Sequence, residues 1–240
     1  MNFDENPYQS PLGSFAVQAQ ADQRADFITK TYLHLAGAIG LFVILEAVFL
    51  NLLDMERITR MMFSSQISWL VVLGLFMVVS FIANNWAQSA VSKSTQYMGL
   101  GLYVFAESVI FAPLLYIANR LSPDHSVISS AAVATLALFG VMTAIVFFTR
   151  KDFSFLRTIL VFGGFAAFGF IIVAAICHLN PGPIFTYLMI AFACSYILYD
   201  TSNVLHHYRI GQHVAASLAL FASVALLFWY IIQLFLSRRN

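Results

Sequence analysis

Three carboxylic acids sit inside long apolar runs: Glu46 in FVILEAVFLNLL, Glu107 in LYVFAESVIFAPLLYI and Asp200 at the end of MIAFACSYILYD. No Lys or Arg lies within those runs. A charge at mid-bilayer costs about 2.5–3.5 kcal/mol on insertion scales. Without a basic partner each acid must be protonated, hydrogen-bonded or close to a cation. Such groups suit the movement or sensing of protons or cations. Spacing singles out Asp200: Ala193, Tyr196, Asp200, Asn203 and His207 recur at helical intervals and share one face. This small-to-polar stripe could line a water-accessible path. Pro113 follows Glu107 by six residues and leaves a backbone carbonyl without its usual donor. An acid beside a free carbonyl suits a cation or proton site, and suits plain helix bending equally. Glu46 stands nearer a helix end, where snorkelling or a hydrogen bond would account for it. The candidate proton or cation pathway is therefore Asp200, Glu107, Asn203 and Glu46.

The histidines are weaker candidates. His34, at the end of the first apolar run, reads as a hydrogen-bonded packing residue. His206, His207 and His213 surround the loop after Asp200 and could form a pH-sensitive rim, since imidazole titrates near neutral pH. They lack the paired spacing of a metal site, and neither a metal centre nor a cofactor is expected.

The elements that must position these residues follow from composition. The chain has 240 residues, of which 60% are hydrophobic and 10% charged, against about 45–50% and about 25% in soluble domains. With a mean hydropathy of +0.82, the expectation is an all-α polytopic membrane protein. Net charge is +1 and no basic cluster suggests a nucleic-acid partner. Windows of about 19 residues give seven spans, near 31–53, 67–87, 98–120, 127–148, 156–178, 184–206 and 214–236. The polar stretch 1–27 reads as a disordered tail, with no signal-peptide pattern, and 28–240 as a seven-transmembrane-helix bundle.

One set of span flanks carries seven Lys and Arg and the other five, which puts the N-terminus inside by a small margin. Trp69, Trp86 and Tyr97 read as interface residues. Four small-xxx-small pairs mark places for close helix approach: Ala36 with Gly40, Gly140 with Ala144, Gly163 with Ala167, and Ala219 with Ser223. Cys177 and Cys194, the two cysteines, differ in depth by roughly 13 Å at 1.5 Å per residue, so no bridge is expected. No H-E-x-x-H, G-x-S-x-G, P-loop or GxGxxG is present. The last span holds no acid, which removes the paired aspartates of an intramembrane protease. The chain is not expected to be an enzyme.

GLYVFAESVIFAPLLYIANRL, then SSAAVATLALFGVMTAIVFFTRKDFSFL, then YDTSNVLHHYRIG resembles the Bax inhibitor (transmembrane Bax-inhibitor-motif) family in its bacterial form. The resemblance runs from about residue 28 to the end. It implies a seven-helix bundle in the bacterial cytoplasmic membrane with an inside N-terminus, and a pH-sensitive calcium leak in which acids on the sixth and seventh helices share a proton. The sixth-helix acid corresponds to Asp200. The seventh-helix position is Ser223, which can hydrogen-bond but cannot share a proton as a second carboxylate would. The acid-lacking form resembles a branch tied to the membrane protease FtsH, whose members modulate degradation of membrane proteins. The expected partners are thus the lipid bilayer, calcium ions or protons, or a membrane protease.

Overall fold

The computed structural model describes residues 13–90, 92–122, 126–179 and 181–238. Among them the chain is helical apart from one antiparallel bridge. The helices are α1 (Ala21–Leu52), α2 (Met55–Met62), α3 (Gln66–Ala87), α4 (Lys93–Leu121), α5 (Ser126–Thr149), α6 (Leu156–Ile176), α7 (Gly182–His206) and α8 (His213–Ser237). All except α2 are long and apolar enough to cross a membrane, and they coincide with the seven expected spans to within a few residues at most boundaries. The first and third spans extend further, by starting at Ala21 and Lys93. In hydrocarbon every backbone polar group must be satisfied within the segment, and a helix does this.

Side-chain caps mark where helices begin. Asp54, Ser65 and Ser92 accept from the amides of Arg57, Ser68 and Thr95, each supplying a partner to an N-terminal N–H the helix leaves free. Helix α2 was not anticipated. It is a short, strongly two-faced helix that buries Met55 and turns Glu56 and Arg60 outward.

The spans alternate, so one end of the bundle carries the α3–α4, α5–α6 and α7–α8 loops. The other carries α2, the α6–α7 turn and the C-terminal end of α8. We call these the loop end and the α2 end. Helices α4 and α8 bury more than half of their apolar stretch and every other span less than a quarter. Helix α8 packs on α1, α3, α4, α5 and α7, whereas α6 leans on α7 and α3. The tightest crossing is at Gly99, where an added Cβ would lie 2.5 Å from both the Ala83 carbonyl oxygen and the Ala87 nitrogen. Of the anticipated small pairs, Gly163 meets the Phe192 ring, whereas at Gly40 and Gly140 nothing lies within 4 Å. Those two helix faces do not approach another helix.

The tail expectation needs correction where it can be compared. Residues 21–27 are the first turns of α1. Residues 13–16 lie against the α7–α8 loop: Phe15 bridges Arg209, Gly13 N donates to Ile210 O at 3.2 Å, Ala16 N to Tyr208 O at 2.9 Å, and Ile210 N to Ser14 O at 2.9 Å. The Arg209 guanidinium stands 4.8 Å over the Phe15 ring, a cation–π contact. Residues 1–12 of the expected tail fall outside the described residues.

Candidate functional site: a carboxyl-based cavity between five helices

A cavity of about 1040 Å³ lies between α3, α4, α6, α7 and α8. Along α8 its lining runs from Ser237 to Leu218, about 28 Å at 1.5 Å per residue. It therefore extends from the α2 end to beyond mid-span. Glu107 and Asp200 both line it, both are buried, and no Lys, Arg or His among the described residues lines it with them. The helical periodicity of α4 and α7 turns these two acids inward, because a lipid-facing carboxyl in hydrocarbon would have no partner.

Each acid is held by one hydroxyl. The Ser223 hydroxyl donates to Asp200 Oδ2, and the Tyr103 hydroxyl donates to Glu107 Oε1 at 3.1 Å. Among the described residues no such donor reaches Oδ1 of Asp200 or Oε2 of Glu107. Tyr103 lines the same cavity as the two acids. Ser80, Asn84, Thr186, Tyr196, Tyr230, Gln233 and Ser237 supply the rest of the polar lining. The Ser80 hydroxyl is buried without a hydrogen bond, and Tyr196 donates to the Leu160 carbonyl at 3.3 Å.

Asp200 lies six residues before the end of α7, about 9 Å from it. Between the acid and the loop end, Val204 and Leu205 of α7 are fully buried, as are Val214, Ala215 and Ala216 of α8. The cavity thus runs towards the α2 end and is closed between α7 and α8 towards the loop end, while on α3 its lining reaches Asn84, three residues before the helix ends.

The expected pathway residues divide. Asp200, Glu107 and Ser223 come together. Asn203 is half-buried and does not line the cavity; its carbonyl accepts from His207 N and Tyr208 N. Glu46 corrects the expectation most: it neither snorkels nor hydrogen-bonds. It is 4% exposed, both carboxyl oxygens are buried without a partner, and it lies outside the cavity lining. His34 is a packing residue, contacting the Lys30 carbonyl at 2.6 Å and the Tyr97 hydroxyl at 3.0 Å. Trp69, expected at the interface, stacks on Trp229 and lines the cavity.

Sequence reasoning missed Tyr103, although a tyrosine four residues before a buried acid is its natural intrahelical donor. It also missed Ser202. This buried hydroxyl accepts from Phe153 N at 2.9 Å and reaches the Lys151 carbonyl and Asp152 Oδ1 at 3.5 Å each. His207 Nε2 meets Asp152 Oδ2 at 3.0 Å. The α5–α6 loop is therefore fastened to the last turn of α7, just beneath the plug. Partial burial pushes the Asp152 carboxyl up, but hydrogen bonds from Ser154 and His207 outweigh it and hold it below its ordinary 3.8.

The segments that fasten, TRKDFSFL and YDTSN, lie within a stretch shared with known proteins. Residues 24–240 match the family model described as inhibitor of apoptosis-promoting Bax1. The chain belongs to the Bax inhibitor family. Uncharacterized protein PA2604 of Pseudomonas aeruginosa is 28% identical over 164 residues, 68% of this chain and 69% of that protein. A BI1-like protein of Arabidopsis thaliana is 29% identical over 120 residues, and Bax inhibitor 1 of Schizosaccharomyces pombe 33% identical over 118. These two matches cover 46% and 45% of this chain, and 45% and 41% of the relatives. The chain thus spans less than half of the plant and yeast relatives, and about two thirds of the bacterial one. No solved structure matches the chain.

Proposed function

We propose that this Bax inhibitor family protein provides a pH-modulated leak pathway for cations, calcium foremost, in a bacterial cytoplasmic membrane, with its N-terminus inside. The observation that carries this reading is the cavity: it runs in from the α2 end, holds two buried carboxyls with no cationic side chain among the described residues lining it, and is closed between α7 and α8 at the loop end by a short apolar layer. Calcium takes six to eight oxygen ligands when held tightly. Two carboxyls with a few hydroxyls form a sparser set, suited to a partly hydrated ion in passage. Asp200 is the gate acid, because it sits where cavity meets plug and its helix partner Ser223 belongs to α8. Glu107 is a polar station above it. Catalysis has no part in this reading. Asn203 and Glu46 are not assigned to the conducting path in the closed arrangement.

The test is calcium efflux from liposomes between about pH 5 and about pH 8, with wild type beside Asp200→Asn. Asn retains shape and hydrogen bonding but cannot ionise, so efflux in the variant is expected to lose its pH dependence while the bundle stays folded. An identical pH response in both proteins removes Asp200 from the mechanism.

A second reading is supported by one specific feature: Asp200 is paired with a hydroxyl and not with a second carboxyl. In this reading the protein does not conduct. It regulates membrane-protein turnover through contact with an FtsH-type protease, using the N-terminal region at the loop end. Deleting residues 1–19 would then abolish co-purification of the protease, and liposomes carrying the full chain would show no calcium efflux at any pH.

A further inference from the structure

The cavity is much larger than an inorganic cation needs. Its volume of about 1040 Å³ matches the upper end of pockets that hold drug-sized molecules, about 300–1,000 Å³. Its chemistry is divided along its length. Above the acids the walls are aromatic, with Trp69, Phe76, Phe111, Phe192 and Trp229 among them. Several of these rings brace one another: Trp229 stacks parallel to Trp69, and Phe111 meets Trp229 edge-on at 5.1 Å between centroids. At the floor Glu107 and Asp200 each keep one carboxyl oxygen without a donor among the described residues.

The geometry points to a binding site for a lipophilic organic cation, a quaternary or protonated amine or phosphonium bearing bulky apolar groups, with its charge at Glu107 and Asp200 and its body against the aromatic walls. Three comparisons favour this class. An inorganic cation matches the floor but leaves the aromatic volume unfilled. An acyl chain matches the walls but leaves two carboxyls facing hydrocarbon, where a charge or an unpaired polar group is costly. An anion of any shape meets carboxyls and no cationic side chain. An organic cation satisfies both parts: ring faces attract positive charge, and the carboxyl oxygens without donors accept from it or pair with it. Binding requires the closed cavity alone, so the inference does not depend on conduction.

The experiment uses the full chain in nanodiscs of zwitterionic lipid, with empty nanodiscs as the blank, and two probes of the same shape and opposite charge, tetraphenylphosphonium and tetraphenylborate. Equilibrium dialysis is expected to show saturable phosphonium binding, with tetraphenylborate weaker by at least about tenfold. Glu107→Gln and Asp200→Asn, each checked for an unchanged elution volume and melting profile, are expected to weaken the phosphonium by about tenfold. Equal binding of the two ions, uptake no greater than by empty discs, or undiminished phosphonium binding in the folded variants overturns the proposal. If a variant does not fold, the opposite-charge comparison on the native protein decides. Calcium efflux from the same preparation separates this inference from the leak: phosphonium binding without efflux upholds this inference alone, and efflux without phosphonium binding overturns it alone.

Discussion

At the scale of residues, the acids divide by what their helices offer them. Glu107 takes its donor from its own helix, Tyr103 one turn earlier, whereas Asp200 takes its donor from another helix, at Ser223. The first arrangement holds whatever the bundle does. The second is broken by any movement of α7 against α8, which is what a gate requires. Sequence made Asp200 and Glu107 visible, because acids in apolar runs stand out by composition alone. Spacing marked Ser223 only as half of a small pair with Ala219, and family resemblance alone pointed to it as the counterpart of Asp200. The contact sharpens one prediction. Ser223→Asp places a second carboxyl where a hydroxyl now donates, so the two must share a proton. The pair is expected to titrate in two steps more than about one pH unit apart, creating or sharpening a pH-dependent efflux. Liposome efflux measured across pH checks it, and a profile matching wild type rules it out.

Elements carry a different kind of information. Span lengths and polar turns were legible because a bilayer demands about 20 apolar residues per helix. Helix α2 was not, because eight residues are too few to give a span signal, and its cap at Asp54 is recognisable mainly once the helix is known. The close-approach pairs were half right for a physical reason: small residues permit contact but do not compel it, and Gly40 and Gly140 face open space. Gly99 is where contact is obligatory. Gly99→Ala would drive a methyl group into the backbone of α3, so we expect a loss of about 1–3 kcal/mol or more, read as a lowered melting temperature in detergent. Ala at Gly40 is the control and should melt like wild type.

The α5–α6 loop gives the pH-linked prediction at this scale. A carboxyl whose folded pKa is depressed contributes stability that is present above its unfolded pKa and is lost as pH falls through the folded one. Asp152 is of this kind, so its hold on α7 is constant near neutrality and fades only below about pH 4. Asp152 is 43% exposed, which keeps the effect under about 1 kcal/mol. Melting temperatures of wild type and Asp152→Asn should differ slightly at neutral pH and converge in acid. A gap that widens in acid would contradict this account.

For the whole molecule, orientation decides which compartment the cavity serves. Positive charge favours the loop end as the inner side only by seven residues to five, so the question is one for chemistry. Cys177 is exposed in the α6–α7 turn at the α2 end, and Cys194 is partly covered within α7. In intact spheroplasts a membrane-impermeant maleimide is expected to label Cys177 and to spare Cys177→Ser protein. Labelling only after the membrane is opened would place the cavity mouth in the cytoplasm and reverse the direction of any leak.

The bridge between Phe15 and Arg209 joins the start of the chain to its last helical hairpin. During synthesis and insertion that partner is among the final segments to arrive, and closing so long a loop is entropically slow. Residues 13–16 must therefore wait beside the membrane until the sixth span, α7, is in place. A molecule with this strand undocked is one whose assembly is incomplete, and a protease that grips free N-terminal segments would tell finished copies from unfinished ones.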